Sequence, residues 1–244
     1  MNIDILTDII RNADSIVFFG GAGMSTESGI PDFRSENGLY MTAGGTKYSP
    51  ETMLSHSFFV SHTDEFFKYY TTKMICKEAK PNSGHIALAK LEEAGRLKAV
   101  VTQNIDGLHQ LAGSKKVFEL HGSVHRNYCT KCRSFYDLDY ILNAKAIPRC
   151  VKCNSVIKPD VVLYEESLDN DVVSGAINSI RTADVLIIGG TSLVVYPAAG
   201  LIDYFRGKKL VLVNKSTTPY DSRADLVIND SVGKVLETAV KPIL

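Results

Sequence analysis

The chain has 244 residues, with 27 basic and 27 acidic side chains and therefore a formal net charge of zero. Apolar residues make up 45% and charged residues 22%, values that suit a globular protein and exclude a generally disordered one. A neutral chain lacks the bulk field that attracts nucleic acid, and no apolar run approaches the ~20 residues of a membrane-spanning helix.

The predicted elements alternate between helix and strand along most of the chain. In chain order they are a helix at 3–12, a strand at 15–19, a helix at 82–95, strands at 99–102 and 117–120, a helix at 172–182, a strand at 185–188, a helix at 197–206, strands at 210–213 and 226–228, and a helix at 232–240. This alternation with short connections predicts an α/β fold, in which helices cover both faces of a mostly parallel, doubly wound sheet.

Two stretches interrupt the alternation. Residues 36–80 are aromatic and mainly helical in pattern, and residues 125–158 contain four of the five cysteines. We expect both to be inserts that pack together into a smaller domain, while residues 1–35, 81–124 and 159–244 form the larger one. A cleft between two domains is a common place for a ligand site.

Four cysteines form two C-x-x-C pairs, Cys129 with Cys132 and Cys150 with Cys153. Four thiolates at this spacing predict a closed, tetrahedral and therefore structural zinc site. The alternative is a pair of redox dithiols. The first residues carry acids where a secretory signal needs bases, so we expect a reducing, cytoplasmic compartment. Cys76 has no partner cysteine and is expected to be an ordinary residue.

A glycine-rich segment, GGAGMSTESG at 20–29, follows the first predicted strand and is expected to open a helix. Glycines let a backbone approach a pyrophosphate closely, and a helix N-terminus attracts anions. The alternative is a simple glycine-rich turn, because Thr26 stands where a third motif glycine would be and no acid ends the next strand. In the following GIPDFR, Phe33 and Arg34 could cover a planar ring and pair with phosphate, or lie in a solvated turn.

Polar side chains also follow other predicted strands. The segment TQNIDGLH at 102–109 lies where ligands bind in doubly wound sheets, although Asn104 or Asp106 could instead cap a helix. His121 follows the next strand and is a general-base candidate, because imidazole titrates near neutral pH. The other histidines that could fill this role are His85, His109 and His125. Loops at 189–199 and 213–214 could face the same cofactor.

Taken together and in this order, the motifs resemble the sirtuin family of NAD-dependent protein deacylases, in particular its compact bacterial members. The matching segments are GAGMSTESGIPDFRS (21–35), TQNIDGLH (102–109), HG (121–122), the four cysteines, GTSLVVYPAA (190–199) and VN (213–214). The resemblance implies a Rossmann-like domain, a smaller zinc-binding and helical domain, NAD in the cleft between them, and one structural Zn²⁺.

The activity that this resemblance implies is protein-lysine deacetylation coupled to NAD cleavage. The acyl oxygen of the modified lysine attacks the ribose carbon that bears nicotinamide, and nicotinamide leaves. A histidine then removes a proton from a ribose hydroxyl, which attacks the bound acyl group. The products are free lysine, nicotinamide and O-acyl-ADP-ribose. Mono-ADP-ribosyl transfer from NAD is the alternative activity, and a zinc-ribbon binding module is the alternative outside enzymes.

The resemblance also assigns residues. It implies that His121 is the general base and that Asn104, with Gln103, orients the nicotinamide-side ribose and a water. Ile105 and Asp106 match the nicotinamide pocket. The remaining cofactor-binding assignments are Ala22, Gly23 and Thr26 in the phosphate loop, Phe33 and Arg34 in the covering loop, Thr191, Ser192 and Asn214 on the adenosine half, and Val232 as a further candidate for the adenine pocket.

An acetylated lysine in a peptide or protein is the implied substrate, held as an added strand between two loops. The assigned substrate residues are Val161, Val162, Leu163, Tyr164, Leu193 and Val194. Glu165 departs from the glycine of many members and is expected to add charge beside the groove. Phe67 and Tyr70 replace the Tyr-x-x-Arg pair of members that remove succinyl groups, so neutral acyl chains are expected. We expect a monomer that binds neither membranes nor specific nucleic-acid sequences.

Overall fold

The computed structural model describes residues 2–33, 35, 38, 39 and 47–244. A larger sheet consists of parallel strands, numbered in chain order: β1 (Ile16–Gly20), β2 (Leu97–Thr102), β3 (Val117–Glu119), β7 (Val185–Gly189), β8 (Lys209–Val213) and β9 (Leu226–Ile228). Their order is β3-β2-β1-β7-β8-β9, the strand order of a Rossmann fold. The predicted α/β class and the predicted strands of this sheet are confirmed.

Helices cover both faces of this sheet, because successive strand residues point to opposite sides. On one face, Phe18 and Ile187 pack with α1 (Asn2–Arg11), α5 (Ser83–Glu93) and α9 (Val232–Val240). On the other face, Phe19 and Ile188 pack with α8 (Asn170–Thr182) and a 3₁₀ helix at Ala198–Tyr204. The strands are therefore buried on both sides, which explains their continuous apolar sequences.

The helix expected at 197–206 is a 3₁₀ helix rather than an α-helix. Gly200 lies within it, and glycine lowers α-helical stability by about 1 kcal/mol relative to alanine. The side chains of Ala198, Ala199, Leu201 and Ile202 are nevertheless buried, so the segment covers the sheet as predicted.

The smaller unit combines an antiparallel sheet with short helices. The sheet, in the order β5-β4-β6, contains β4 (Gly122–Cys129), β5 (Phe135–Tyr136) and β6 (Ile157–Val161). Its helical elements are α2 (Pro50–Met53), α3 (His56–Ser61), α4 (Thr63–Tyr69), a π-helical turn at Tyr70–Met74 and α7 (Leu138–Leu142). These elements share one core. The domain boundaries at 125 and 158 stay a prediction, since β4 and β6 both extend across them.

The site lies where the strand order of the parallel sheet reverses, between β1 and β7. β1 pairs with β2 on one side and with β7 on the other, so that Gly20 lies between Thr102 and Gly189. The loops that follow these three strands therefore meet at one edge of the sheet. None of the helices formed by the described residues combines the length and apolar character needed to cross a bilayer.

Candidate functional site

A cleft of about 1150 Å³ opens at this edge of the parallel sheet and extends to the smaller unit. The predicted cofactor-binding and catalytic residues that line it are Ala22, Gly23, Thr26, Phe33, Gln103, Asn104, Ile105, Asp106, His121, Thr191, Ser192, Asn214 and Val232. Arg34 lies outside the described residues. The structure thus brings together residues from six separate segments, one after each strand of the parallel sheet.

The predicted substrate residues divide into two groups. Val161, Val162, Leu163 and Tyr164 line the cleft. Leu193 instead lies in the core beneath the parallel sheet, and Val194 is 48% exposed; the side chains of these two residues do not contribute to the cleft wall. Any contact that they make with a substrate would therefore come mainly from their backbone.

The glycine-rich segment forms two 3₁₀ turns, at Ala22–Met24 and Thr26–Ser28, rather than the α-helix expected there. The Gly23 N–H donates to the Gly190 carbonyl at 2.8 Å, and a Cβ on Gly23 would lie 2.8 Å from Gly190 Cα. The two loops therefore pack backbone against backbone. A side chain at this position would force them apart, so glycine is needed here for packing as well as for ligand approach.

His121 is held in one tautomer by the backbone. Its Nδ1 lies 3.0 Å from the Gln103 carbonyl oxygen, which can only accept a hydrogen bond, so Nδ1 carries the proton. Nε2 of the neutral ring is then a lone-pair acceptor. Burial lowers the pKa of His121, partly offset by the hydrogen bond to Gln103, and the ring is consequently neutral at pH 7. This arrangement can accept a proton from a group in the cleft.

Ser25 connects two predicted site residues and was not itself predicted. Its Oγ donates to Asp106 Oδ2 at 2.7 Å and accepts from Asn104 Nδ2 at 3.0 Å. Asp106 Oδ1 also accepts from the Leu108 N–H at 2.9 Å, at the start of α6 (Leu108–Leu111). Asp106 therefore caps the start of this helix, as the alternative interpretation of the sequence predicts, and it also lines the cleft.

Thr191 joins the two halves of the cleft. Its Oγ accepts from Gln103 Nε2 at 3.0 Å, and its carbonyl accepts from Asn214 Nδ2 at 2.7 Å. The loops after β2, β7 and β8 are thereby linked through side-chain amides. Such fixed amides could present their remaining donors and acceptors to ribose hydroxyls.

The rival histidines differ from His121 in position. His85 and His109 are almost completely buried, do not line the cleft, and their ring centroids lie 4.7 Å apart. Burial lowers the pKa of His85 to about 4 and that of His109 to about 3. His125 does line the cleft and its Nε2 lies 3.1 Å from the Asp106 carbonyl, but the residue is exposed.

The four paired cysteines converge. All four Sγ atoms lie within 4.8 Å of one another. The Sγ–Sγ distance is 3.4 Å between Cys129 and Cys153, 3.5 Å between Cys132 and Cys150, and 3.6 Å between Cys132 and Cys153. A tetrahedral zinc with Zn–S bonds of about 2.3 Å needs sulfur atoms about 3.8 Å apart, so the donor set fits the metal. Each pair ends in a similar turn, in which Arg133 and Asn154 have left-handed backbones.

Glu165, which stands where many members of the resembled family have glycine, lies at the rim of the cleft. This residue has φ +75°, a conformation that favours glycine. Both of its carboxylate oxygens bind Ser57, one at the backbone N–H and one at Oγ, each at 2.9 Å. Glu166 accepts from Lys158, His56 and the Leu163 N–H. The charge of Glu165 is thus directed at the N-terminus of α3.

The fold and the cleft define the class of protein. A parallel sheet in Rossmann order, with polar loops at its switch point, is a dinucleotide-binding architecture, and here a four-cysteine unit lies beside it. The sequence profile of the Sir2 family matches residues 21–197, and the chain belongs to this family.

Known relatives are similar over nearly their full length. The chain is 66% identical to a protein of Clostridium perfringens strain 13 named NAD-dependent protein deacetylase, over 96% of each chain. Among solved structures, a Sir2 protein with deacetylated p53 peptide and 3′-O-acetyl ADP-ribose has a TM-score of 0.91 at 41% identity, covering 99% of this chain and 98% of that one. A Sir2 protein bound to acetylated peptide has a TM-score of 0.88 at 39% identity, with both chains covered completely.

Proposed function

We propose that this protein is an NAD-dependent protein-lysine deacetylase that transfers the acetyl group to ADP-ribose and releases nicotinamide and free lysine. The observation that carries the proposal is the neutral His121 ring, held by the Gln103 carbonyl in the wall of the cleft. The C. perfringens relative is named for the same activity. The two Sir2 structures contain an acetylated peptide and an acetylated ADP-ribose, respectively.

NAD supplies an electrophilic ribose carbon with nicotinamide as leaving group, and a ribose hydroxyl that can accept the acetyl group. His121 Nε2 is the atom that would take the proton from this hydroxyl, because Nδ1 is already committed to Gln103. The fixed tautomer means that the ring needs no reorientation before it accepts the proton. Asn104, which is almost completely buried, would orient the ribose and a water nearby.

The nicotinamide end of the cofactor would lie against Ile105 and Asp106. Asp106 would accept from the carboxamide, and its hydrogen bonds from Ser25 and Leu108 hold the carboxylate in position for this contact. Each carboxylate oxygen has a second lone pair for the ligand. Ser25 is thus proposed as a positioning residue for the nicotinamide pocket.

The rest of the cofactor would follow the linked loops. Ala22, Gly23 and Thr26 would surround the pyrophosphate, with turn amides rather than an α-helix as donors. Thr191, Ser192 and Asn214 would contact the adenosine ribose, and Val232 would contact adenine. Phe33 lines the cleft and would, with Arg34, cover the reacting ribose and exclude water. An amide at 214 explains why no acidic residue ends the second strand.

One Zn²⁺ would be held by the four cysteines as a structural ion. Four thiolates complete a tetrahedral shell, so no position remains for a catalytic water. The zinc would fix the two turns from which β4 and β6 extend toward the cleft. None of the five cysteines forms a disulfide, and we propose a reducing, cytoplasmic location on this basis.

The acetylated segment of a substrate would enter beside Val161, Val162, Leu163 and Tyr164, which follow or end the edge strand β6. Backbone pairing with this edge would give modest sequence preference. We further propose that the chain acts as a monomer without specific binding to nucleic acid, and that the small domain comprises 36–80 and 125–158.

One assay tests the proposal directly. The protein is mixed with an acetyl-lysine peptide, with and without NAD, and nicotinamide release and O-acetyl-ADP-ribose are measured by mass spectrometry. We expect both products only when peptide and NAD are present together. His121→Ala should abolish turnover yet retain NAD binding by calorimetry. A protein that gains ADP-ribose, with no acetylated ADP-ribose formed, would instead indicate mono-ADP-ribosyl transfer.

A further inference from the structure

Six buried side-chain polar atoms have no hydrogen-bond partner within the described part of the chain. They are Tyr70 Oη, His85 Nε2, both ring nitrogens of His109, Ser114 Oγ and Asn127 Oδ1. Of the five residues that carry them, only Tyr70 lines the cleft. A buried hydroxyl without a partner is costly, so this residue in a ligand-binding wall points to a partner that arrives with the ligand.

Tyr70 lies in a rigid and apolar setting. It begins the π-helical turn Tyr70–Met74, is completely buried, and stacks on Phe66 with ring centroids 5.6 Å apart and an interplanar angle of 10°. Leu54, Val161 and Leu163 belong to the core around it and also line the cleft. The hydroxyl is therefore an isolated, buried polar group among apolar side chains that line the cleft.

This wall adjoins the proposed reaction site. The Val162 N–H donates to the His121 carbonyl at 3.0 Å, and the Val124 N–H donates to the Ile105 carbonyl at 3.0 Å. The side chains of Val161 and His121 therefore belong to adjoining parts of the same cleft. An acyl chain longer than acetyl would extend from the reaction site along the apolar wall that contains Tyr70.

Charge decides which group suits this hydroxyl. Burial, with a contribution from the negative charge of Asp160, raises the pKa of Tyr70, and the phenol remains a neutral donor. Asp160 is itself paired with Arg126 at 2.7 Å, so its charge is largely compensated. Lys73 lines the cleft but is exposed, so it does not place a buried cation beside the ring. A neutral oxygen on the acyl chain meets these conditions best.

Resting on the proposed deacylase function, we propose that Tyr70 selects short acyl-lysines that bear a hydroxyl group over apolar acyl chains of the same size. The phenol would donate to the acyl hydroxyl, or accept from it, which satisfies both groups at once. Tyr70 would then be a specificity-determining residue that is not needed for the acetyl reaction itself.

The test compares isosteric acyl groups on one peptide. The first pair is 2-hydroxypropionyl-lysine against 2-methylpropionyl-lysine, and the second is each enantiomer of 3-hydroxybutyryl-lysine against 3-methylbutyryl-lysine. We expect kcat/KM for a hydroxyacyl peptide to exceed that of its methyl counterpart in the unmodified enzyme. In Tyr70→Phe this ratio should fall about tenfold, the value of one net hydrogen bond.

Two controls separate the possible failures. Tyr69→Phe removes the hydroxyl of a neighbouring buried tyrosine that does not line the cleft, and the ratio should not change. Thermal unfolding of Tyr70→Phe shows whether the variant folds, which we expect because it removes an unpaired buried group. Without turnover of the acetyl peptide, the proposed function itself fails. If the acetyl peptide is turned over but the ratio of hydroxyacyl to methyl-acyl kcat/KM is the same in the unmodified enzyme, Tyr70→Phe and Tyr69→Phe, only the assignment of Tyr70 is wrong. Turnover of a succinyl peptide faster than that of the acetyl peptide would also overturn this assignment.

Discussion

The Arg126 guanidinium donates from Nη1 to the Glu119 carboxylate at 2.6 Å, across the turn that contains His121. Its Nε also donates to Asp160 at 2.7 Å. One side chain of β4 thereby connects the end of β3 with the edge strand β6, and these are the elements that precede and flank the proposed base. The side chain of Glu119 is only 8% exposed, so its charge depends on this partner.

Replacing Arg126 should therefore reduce stability and activity together. In Arg126→Gln the Glu119 carboxylate stays buried without a cation, and we expect the free energy of unfolding to fall by about 1 to 2 kcal/mol. Urea denaturation measures this loss. Because Arg126 is itself 38% exposed, the effect should be smaller than for a fully buried pair. The double variant with Glu119→Gln should recover part of the stability, and strictly additive losses would contradict the coupling.

The proposed base predicts the acidic limb of the pH profile. Burial holds the pKa of His121 below 6.5, so the neutral, basic form predominates from that pH upward. We expect kcat/KM for the acetyl peptide to be level above about pH 7 and to fall at lower pH with the slope of one proton. Steady-state kinetics between pH 5 and 9 provide the measurement. An acidic limb centred above pH 7 would be inconsistent with a buried, neutral imidazole.

The buried pair His85 and His109 predicts a pH dependence of stability. Both pKa values are lowered from 6.5 in the folded protein, to about 4 and about 3. Between these folded values and pH 6.5, an unfolded chain therefore binds protons on both rings that the folded chain does not. Above pH 6.5 both rings are neutral in the folded and the unfolded chain, so pH has no effect through them, and as pH falls from 6.5 toward 4 the folded protein loses stability. Each ring should contribute about 1.4 kcal/mol per pH unit to this decline.

His109→Phe isolates one of these two rings. The variant should show a slope of unfolding free energy against pH that is shallower by about 1.4 kcal/mol per unit between pH 6 and 4.5. Urea denaturation at pH 8, where both rings are neutral in either state, measures the packing effect of the substitution separately. Parallel lines for the two proteins below pH 6 would show that His109 is not buried as a neutral ring.

Removal of zinc should unfold the smaller unit, because metal binding and folding are coupled in such sites. We expect Cys150→Ser to lose the metal, measured by elemental analysis, and to lose activity, while circular dichroism records partial loss of structure. Cys76→Ser provides the matched control, since Cys76 is exposed and outside the four-cysteine cluster. A Cys150→Ser protein that remained folded, metal-free and active would refute the structural role.

The sequence was most informative for features that a local pattern of residues is enough to predict. Strands such as β7 are buried on both faces, so their runs of apolar residues stand out, and the cysteine spacing predicts a cluster without any knowledge of the fold. The 3₁₀ geometry of the glycine-rich segment was not predictable in this way. It depends on the backbone contact between Gly23 and Gly190, two loops far apart in the chain.

Other features depend entirely on tertiary structure. Ser25 and Ser28 are alike in the sequence, yet only Ser25 is placed to bridge Asp106 and Asn104. Tyr70 stands three residues after Phe67 in the sequence, but the lack of a partner for its hydroxyl follows from the packing around it. Phe67 itself is buried and does not line the cleft.

The placement of β1 at the centre of the parallel sheet has a consequence for biosynthesis. β1 obtains its first neighbour when Leu97–Thr102 emerges from the ribosome, but its second only after Val185–Gly189 has been made. At 5 to 20 residues per second, roughly 4 to 18 s pass between translation of Leu97 and of Val185. During that interval one apolar edge of the nascent sheet stays open, so shielding by a chaperone should matter most there.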